Sequence, residues 1–267
     1  MPNARTHFSF LYTIHIKHYT GLCPLHIKKY RAILLDWDDT IGDWKHAEHA
    51  ALQELYNTYH LESLYPSLDD FLETYKPYNF ELWDLYGRGE INKERLQFER
   101  FYRPIESLPF PNEQLVVMAQ EMGPFFLQLT NKYFSLLPEA SRVVHYLASK
   151  YPLTIISNGF KEVQYYKLSA SGLQDCFAHV LISEEIGINK PQPEIFQIAL
   201  ERNHVQPSEA IMIGDRYSSD IEGAKAAGID QIWIREEDSS ISEKQHFASQ
   251  SSATFIVPSL TDVMTIL

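Results

Sequence analysis

Five short apolar runs between residues 31 and 234 constrain the fold more than any other feature of the sequence. They are AILL at 32–35, LTII at 153–156, HVLI at 179–182, IMI at 211–213 and QIWI at 231–234. Runs of this length predict strands that are buried on both faces. The segments between the later runs have helical spacing, as in the stretch behind Pro193, a residue suited to the first turn of a helix. Strands that alternate with helices predict an α/β fold with a doubly wound parallel sheet.

The stretch from 44 to 127 interrupts this alternation. It is rich in Leu, Tyr, Glu and Lys, and its apolar residues have helical spacing. Breaks that divide it into several helices are predicted at Tyr65-Pro66, Lys76-Pro77, Gly87–Gly89 and Pro104–Pro111. We therefore predict an all-helical cap domain, 44–127, inserted into a core domain formed by 30–43 and 128–267.

Residues 1–29 precede the first predicted strand and are expected to form a poorly ordered N-terminal extension. Within them, His15, His18, Cys23 and His26 mimic two metal-ligand pairs. The loop between the pairs is short for folding around an ion, so a solvated tail is favoured over a zinc site.

The charge balance limits the partners of the protein. The 267-residue chain has 35 acidic and 23 basic residues, a formal net charge of −12, which repels long polyanions such as nucleic acids. A small phosphorylated metabolite can still bind where a metal ion reverses the local field. No apolar run approaches the roughly 20 residues that cross a bilayer, and the two cysteines do not indicate a disulfide framework. We expect a cytoplasmic monomer or homodimer without a membrane partner.

Polar residues follow three of the predicted strands. Asp36 follows AILL, Ser157 and Asn158 follow LTII, and Gly214-Asp215 follow IMI. In an open parallel sheet the carboxyl ends of the strands lie along one edge, where ligands bind near the switch in strand order. We therefore expect these distant residues to meet in one site.

The first of these clusters, DWDDT at 36–40, has two carboxylates two residues apart. Asp36 and Asp38 suit phosphoryl transfer, since one carboxylate can attack while the other exchanges protons. An acidic turn in which Asp39 or Thr40 caps the next helix is the alternative.

Two further segments supply groups that bind phosphate. Ser157 and Asn158 lie at a strand-to-helix turn that offers a hydroxyl and backbone N–H groups, and Lys190 presents a cation just before a helix. Taken singly, these are an ordinary turn and a surface lysine.

The segment GDRYSSD adds Asp215 and Asp220 to the predicted site. Carboxylates brought close to Asp36 repel it, and a divalent cation resolves the repulsion. Hard oxygen ligands combined with phosphate chemistry favour Mg²⁺ over zinc. A pair of helix-capping aspartates is the alternative.

The four segments, in this order, resemble the signature motifs of the haloacid dehalogenase (HAD) superfamily, whose core is Rossmann-like. The resemblance covers about 31–267, and the helical insertion resembles the type called a C1 cap. It implies that Asp36 attacks phosphorus and that Asp38 protonates the leaving oxygen and later activates water. Ser157 and Lys190 would then hold the phosphoryl oxygens, while Thr40 would fix the loop around the phosphate.

The same resemblance implies a magnesium site. Its ligands would be the Asp36 carboxylate, the Asp38 backbone carbonyl and Asp215, with Asp220 in or next to the coordination shell. Dehalogenases of the superfamily lack the second aspartate of the first motif, so Asp38 favours phosphoryl chemistry.

The substrate is indicated by two other segments, YNFELWDLYGRGEINKERLQFERF and SNGFKEVQYYKLSASGL. They look similar to bacterial pyrimidine 5'-nucleotidases, which dephosphorylate UMP, dUMP, TMP and modified analogues. Tyr78 and Trp83 could stack on a base and Asn79 could bind its edge, although aromatic residues at helical spacing also pack helices together. A sugar-phosphate or phosphoglycolate phosphatase, a phosphomutase and a catalytically silent binding protein remain alternatives.

Overall fold

The computed structural model describes residues 30–106, 111–235 and 253–267. The predicted N-terminal extension, with its histidine and cysteine pairs, lies outside the described residues.

The predicted parallel sheet is confirmed and has six strands in the order β3-β2-β1-β4-β5-β6. The strands are β1 (Ala32–Leu35), β2 (Leu153–Ser157), β3 (Phe177–Ile182), β4 (Ala210–Gly214), β5 (Asp230–Ile234) and β6 (Phe255–Val257). In the centre, Ile33 lies opposite Leu153 on one side and Ile211 on the other. Five strands coincide with the apolar runs, whereas β6 was missed because an edge strand of three residues has too short a pattern.

Helices cover both faces of the sheet. They are α5 (Ala140–Ala148), α6 (Lys161–Ser171), α7 (Ser183–Ile186), α8 (Pro193–Asn203) and α9 (Glu222–Ala226). Alternate residues of β1 face opposite sides, so Ile33 packs in the cluster that contains α5 and Leu34 in the cluster that contains α8. Burial on both faces explains why the strands are uniformly apolar.

The inserted stretch is helical. It contains α1 (Trp44–Thr58), α2 (Leu68–Gly87), α3 (Lys93–Ile105) and the start of α4 (Asn112–Lys132). These helices share a separate core of residues such as Leu55, Tyr75 and Phe126. The predicted domain division stays a prediction, and α4 passes through its boundary at 127. No helix among the described residues combines the length and the apolarity that crossing a membrane requires.

The predicted helix break at Lys76-Pro77 is wrong, because α2 continues through Pro77. Proline lacks the N–H that would bond to the carbonyl of Glu73. Pro77 and Glu73 are both exposed, so water can satisfy that carbonyl. The breaks predicted around Tyr65-Pro66 and at Gly87–Gly89 coincide with helix boundaries.

The inserted helices contact the sheet domain at two places. The chain leaves and returns through adjacent segments, where the Asp43 N–H donates to the Ser135 carbonyl at 2.9 Å. At the far end, Lys93 Nζ lies 2.7 Å from the Glu162 carboxylate and 3.0 Å from that of Glu184. The carboxyl ends of the strands face the space between these two contacts.

Candidate active site

The reversal of strand order at β1 brings three strand ends together. Asp36 follows β1, Ser157 ends β2, and Asp215 follows β4. One carboxylate oxygen from each of Asp36, Asp215 and Asp220 lies within 4.8 Å of the other two. The residues at 36 and 215–220 thus meet at the carboxyl edge of the sheet, as the crevice rule for open parallel sheets predicts.

Lys190 lies among these carboxylates. Its Nζ is 2.5 Å from Asp36 Oδ1 and 2.8 Å from Asp220 Oδ1, and its side chain is 2% exposed. Burial alone would lower the pKa of Lys190, but the two carboxylates raise it above its ordinary value. Lys190 is therefore a permanently charged cation in contact with the candidate nucleophile.

Lys190 does not fully offset the burial and mutual repulsion of the carboxylates. Burial raises the pKa of Asp36 to about 7; Lys190 opposes this shift, and Asp220 and Asp38 add to it. Burial followed by repulsion from Asp36 and Asp220 also raises the pKa of Asp215. The three clustered carboxylates form a hard oxygen donor set, which fits a divalent cation such as Mg²⁺.

Gly214 is required by the packing of this cluster. A Cβ atom built on Gly214 would lie 2.3 Å from Asp220 Oδ2 and 2.6 Å from its Cγ. The π-helical turn Tyr217–Ile221 brings Asp220 back onto the strand end. A side chain at position 214 would therefore displace Asp220.

Asp38 is held on the other side of the loop by two residues of α6. Lys167 Nζ lies 2.5 Å from Asp38 Oδ1, and Gln164 Nε2 donates to Asp38 Oδ2 at 2.8 Å. Lys167 is buried and also lies over the ring of Trp44, 4.3 Å from its centroid. Sequence reasoning missed both partners. Their signal was a polar pair among the inward positions of α6, next to Val163.

The remaining acidic residue of the first motif, Asp39, contacts the next helix. Its Oδ1 accepts from the Lys45 N–H at 2.9 Å, in the first turn of α1, while Asp43 is the N-cap residue and accepts from the His46 N–H. Helix capping therefore uses Asp39 and Asp43 and leaves the side chains of Asp36 and Asp38 available at the sheet edge.

The predicted phosphate-binding residues differ in their surroundings. Ser157 is 1% exposed, and its Oγ accepts from the Gly159 N–H at 3.1 Å. Asn158 makes two hydrogen bonds of 2.8 Å with the backbone of Lys190, so it orients that loop. Thr40 is fully buried, and its Oγ1 donates to Asp215 Oδ1 at 3.5 Å, so its contact is with a carboxylate.

A cavity of about 230 Å³ connects the strand ends with the inserted helices. Asp36, Asp38, Ser157, Asn158, Lys190, Asp215 and Asp220 line one part of it; Trp44, Lys45, Glu48, Asn79, Trp83, Arg100 and Leu127 line the other. The predicted catalytic groups and polar groups of the inserted helices therefore share one space.

The three residues predicted to determine specificity are divided by the geometry of α2. Asn79 and Trp83 are one turn apart and both line the cavity, where Trp83 stacks on Phe160 at 5.3 Å between centroids. Tyr78 is not among the described residues that line the cavity. The same is true of Thr40, which was predicted to bind phosphate. Successive helical residues are rotated by about 100°, which turns Tyr78 away from the face of Asn79.

Arg100 was not predicted from the sequence. It lies on α3 between the buried residues Leu96 and Phe101 and is itself 1% exposed. A charged residue on the inward face of a helix was the available signal, hidden in a sequence rich in arginine and glutamate.

Comparison with known proteins is consistent with this architecture. The model of the haloacid dehalogenase-like hydrolase family matches residues 30–228. The solved structure of the HAD-hydrolase YfnB of Bacillus subtilis, bound to magnesium, has a TM-score of 0.76 and 26% identity, and the match covers 90% of this chain and 99% of that one.

The relatives with assigned substrates include a nucleotidase and a sugar-phosphate phosphatase. The pyrimidine 5'-nucleotidase YjjG of Escherichia coli is 31% identical over 77% of this chain and 86% of that protein. A glyceraldehyde 3-phosphate phosphatase of Methanothermobacter thermautotrophicus is 27% identical over 89% of this chain and 99% of its own. Because the family model matches most of its length, the chain belongs to the haloacid dehalogenase-like hydrolase family.

Proposed function

We propose that the protein is a magnesium-dependent phosphatase that hydrolyses nucleoside 5'-monophosphates, with pyrimidine nucleotides such as UMP, dUMP and TMP as preferred substrates. The observation that carries the proposal is the meeting of Asp36, Lys190, Asp215 and Asp220 at one sheet edge, with Asp38 beside them. The similarity to YjjG supports the choice of substrate class.

In this proposal Asp36 is the nucleophile. Its carboxylate attacks phosphorus, a P–O bond to Asp36 forms, and the bond to the nucleoside oxygen breaks. Asp38 gives its proton to that oxygen and then removes a proton from the water that hydrolyses the aspartyl-phosphate. Lys190 and Ser157 hold the phosphoryl oxygens, and Asn158 keeps the Lys190 loop in place through its two backbone hydrogen bonds.

Asp36, Asp215 and Asp220, together with the Asp38 carbonyl, would hold the magnesium ion. The bound ion neutralises charge on the transferring phosphoryl group. The protein's own contribution is to fix the carboxylates, through the Thr40 hydroxyl at Asp215 and the backbone N–H of Arg216, which donates to Asp220 Oδ2 at 3.1 Å.

A phosphatase for small sugar phosphates is the second candidate, because the glyceraldehyde 3-phosphate phosphatase matches over nearly its whole length. A phosphomutase would use the same residues at the sheet edge, and a silent binding protein would have no need of them. The cytoplasmic location and the monomeric or homodimeric state remain predictions.

Hydrolysis of p-nitrophenyl phosphate tests the reaction. We expect activity with Mg²⁺, its loss with a chelator, and its loss in Asp36→Asn. Asp69→Asn, an exposed aspartate in the first turn of α2, is the matched control and should retain activity. Activity that survives chelation or Asp36→Asn would refute the mechanism.

A panel of UMP, dUMP, TMP, purine monophosphates, phosphoglycolate and glucose phosphates then tests the substrate class, and a preference for the sugar phosphates would refute the nucleotidase assignment.

A further inference from the structure

The guanidinium of Arg100 is a buried cation with unused hydrogen-bond donors. Arg100 lines the cavity of the candidate active site, yet it is only 1% exposed. Its Nε and Nη2 atoms have no hydrogen-bond partner among the described residues. A buried donor without an acceptor costs about 1–3 kcal/mol, and more when it is charged. Arg100 therefore destabilises the folded protein unless a ligand supplies the acceptor.

Packing explains only part of this arrangement. The guanidinium carbon lies 4.5 Å from the ring centroid of Phe126 and 5.2 Å from that of Phe101. Such cation–π contacts stabilise the charge without providing an acceptor oxygen, and the buried Tyr75 hydroxyl interacts with the guanidinium without forming a hydrogen bond of acceptable geometry to Nε or Nη2. A residue that only filled this core could be a leucine or methionine.

Two further polar groups line the same part of the cavity. Asn79 Nδ2 lies 3.4 Å from Glu48 Oε1, and Asn79 Oδ1 has no hydrogen-bond partner among the described residues. Burial raises the pKa of Glu48, an effect that Arg100 opposes, and no ion pair within 4.0 Å joins Glu48 to Arg100 in the described part of the chain. Unpaired donors of Arg100 and an unpaired acceptor of Asn79 thus line the same cavity.

This pattern selects the chemistry of the ligand. An anionic ligand group would accept from Arg100 but has no donor for Asn79 Oδ1, so a second phosphate or a carboxylate satisfies only one side of the site. A neutral edge with a carbonyl oxygen next to an N–H satisfies both sides, since the oxygen accepts from Arg100 and the N–H donates to Asn79 Oδ1. Trp44 and Trp83 also line the cavity and suit a planar ring.

We propose that Arg100 and Asn79 bind the base of the nucleotide, with Arg100 donating to a carbonyl oxygen of uracil or thymine and Asn79 accepting from the adjacent ring N–H. This inference rests on the proposed nucleotidase function and assigns its base-recognition residues. Glu48 keeps Asn79 in place by accepting from its Nδ2.

The test compares UMP with p-nitrophenyl phosphate, which has no base edge. The measured quantity is the ratio of kcat/KM for UMP to kcat/KM for p-nitrophenyl phosphate, in the full chain with Mg²⁺. In Arg100→Met we expect this ratio to fall about 10- to 100-fold, the range of one hydrogen bond to a charged group. Arg95→Met is the matched control because Arg95 lies on the same helix, is exposed and pairs with Glu99; its ratio should change less than about twofold.

A second variant and a binding measurement guard against misfolding of Arg100→Met. Asn79 is only partly buried, and Asn79→Leu should lower the same ratio about 3- to 10-fold. Uridine binding to chelator-treated protein, measured by calorimetry, should weaken in both variants and be unaffected in Arg95→Met. Thermal melts of each variant report whether it is folded.

The possible failures are distinguishable. If the wild-type protein hydrolyses p-nitrophenyl phosphate but no nucleotide, the nucleotidase proposal and this inference both fail. If the wild type hydrolyses UMP but the two variants keep the wild-type ratio, only this inference fails. If Arg100→Met selectively loses activity toward phosphoserine or phosphoglycolate, the guanidinium binds an anionic group and the assignment to a base edge is overturned.

Discussion

Asp36 is the residue at which folding and chemistry conflict most directly. The proposed nucleophilic role requires an ionised Asp36, yet burial, together with Asp220 and Asp38, raises its pKa to about 7. The ordinary value of 3.8 applies to the unfolded chain. Because the folded pKa is the higher one, the folded state favours the protonated form. The resulting stability is fully present below about pH 4 and is lost as the pH rises through about 7.

Asp36→Asn should therefore stabilise the metal-free protein while abolishing activity. The free energy of unfolding of Asp36→Asn should exceed that of the wild type by a difference that grows between pH 5 and 8, to on the order of 2–4 kcal/mol. Urea denaturation of chelator-treated protein at several pH values measures this difference. Adding Mg²⁺ at pH 8 should stabilise the wild type more than the variant. A difference that is constant with pH would contradict the electrostatic explanation.

Lys167 is expected to act as a positioning residue for Asp38. Lys167→Met removes the charged partner of Asp38 Oδ1, so the proposed general acid is no longer held at the sheet edge. We expect kcat for p-nitrophenyl phosphate to fall about 10- to 100-fold, with a smaller change in KM and a shifted pH–rate profile. Lys161→Met, an exposed lysine on the same helix, is the control. A loss in KM alone would mean that Lys167 binds substrate instead.

At this scale the sequence predicted residues that follow strands and missed residues on helix faces. Asp36 and Asp215 could be assigned because a strand end has a defined place in a parallel sheet. Lys167 and Arg100 project from α6 and α3, and whether they meet Asp38 or the cavity depends on how those helices pack. Tyr78 shows the same limit, since its periodicity did not reveal which face of α2 meets the cavity.

The end of β4 is tightly constrained at Gly214, where the strand meets the acidic cluster. Gly214→Ala would place a methyl group 2.3 Å from Asp220 Oδ2, so either the carboxylate or the π-helical turn must shift. We expect a loss of about 1–3 kcal/mol in the free energy of unfolding and a strong loss of activity. Gly87→Ala is the control because a Cβ there meets no atom within 4 Å and α2 gains a better helix former. Tolerance of Gly214→Ala with full activity would contradict this account of the strand end.

At the scale of elements, the apolar runs predicted the central strands because strands buried on both faces need uninterrupted apolar sequence. β6 was not predicted, because a three-residue strand at the edge of the sheet does not need an uninterrupted apolar sequence. The break expected at Pro77 was wrong because α2 continues through this proline. A proline interrupts a helix less strongly where the carbonyl that loses its hydrogen bond is exposed to water, as it is here. Local sequence patterns therefore predicted the buried strands correctly and predicted the exposed elements less well.

In the whole molecule, the inserted helices contact the sheet domain through the paired chain crossings at one end. The contact at the other end combines polar groups with an apolar cluster, in which Phe160 and Val163 pack against Leu82 and Leu96. In that contact Lys93 meets Glu162 and Glu184, and the Asn189 side chain donates to the Tyr86 carbonyl at 3.1 Å. The substrate cavity lies between the two ends. This far contact can separate without breaking the chain crossings, so its strength should control how readily the cavity is covered.

Lys93→Met should weaken this closed arrangement without unfolding either part. We expect KM for UMP to rise about 3- to 10-fold with little change in kcat, because closure strengthens substrate binding and the catalytic residues remain in place. Since the side chain of Lys93 is partly exposed, the free energy of unfolding should change by less than about 1 kcal/mol. Arg88→Met removes ion pairs to Asp84 and Glu90 that lie entirely within the inserted stretch, so it should leave KM unchanged. Equal KM values for Lys93→Met and wild type, measured at low salt where ion pairs are strongest, would mean that this contact does not govern access to the cavity.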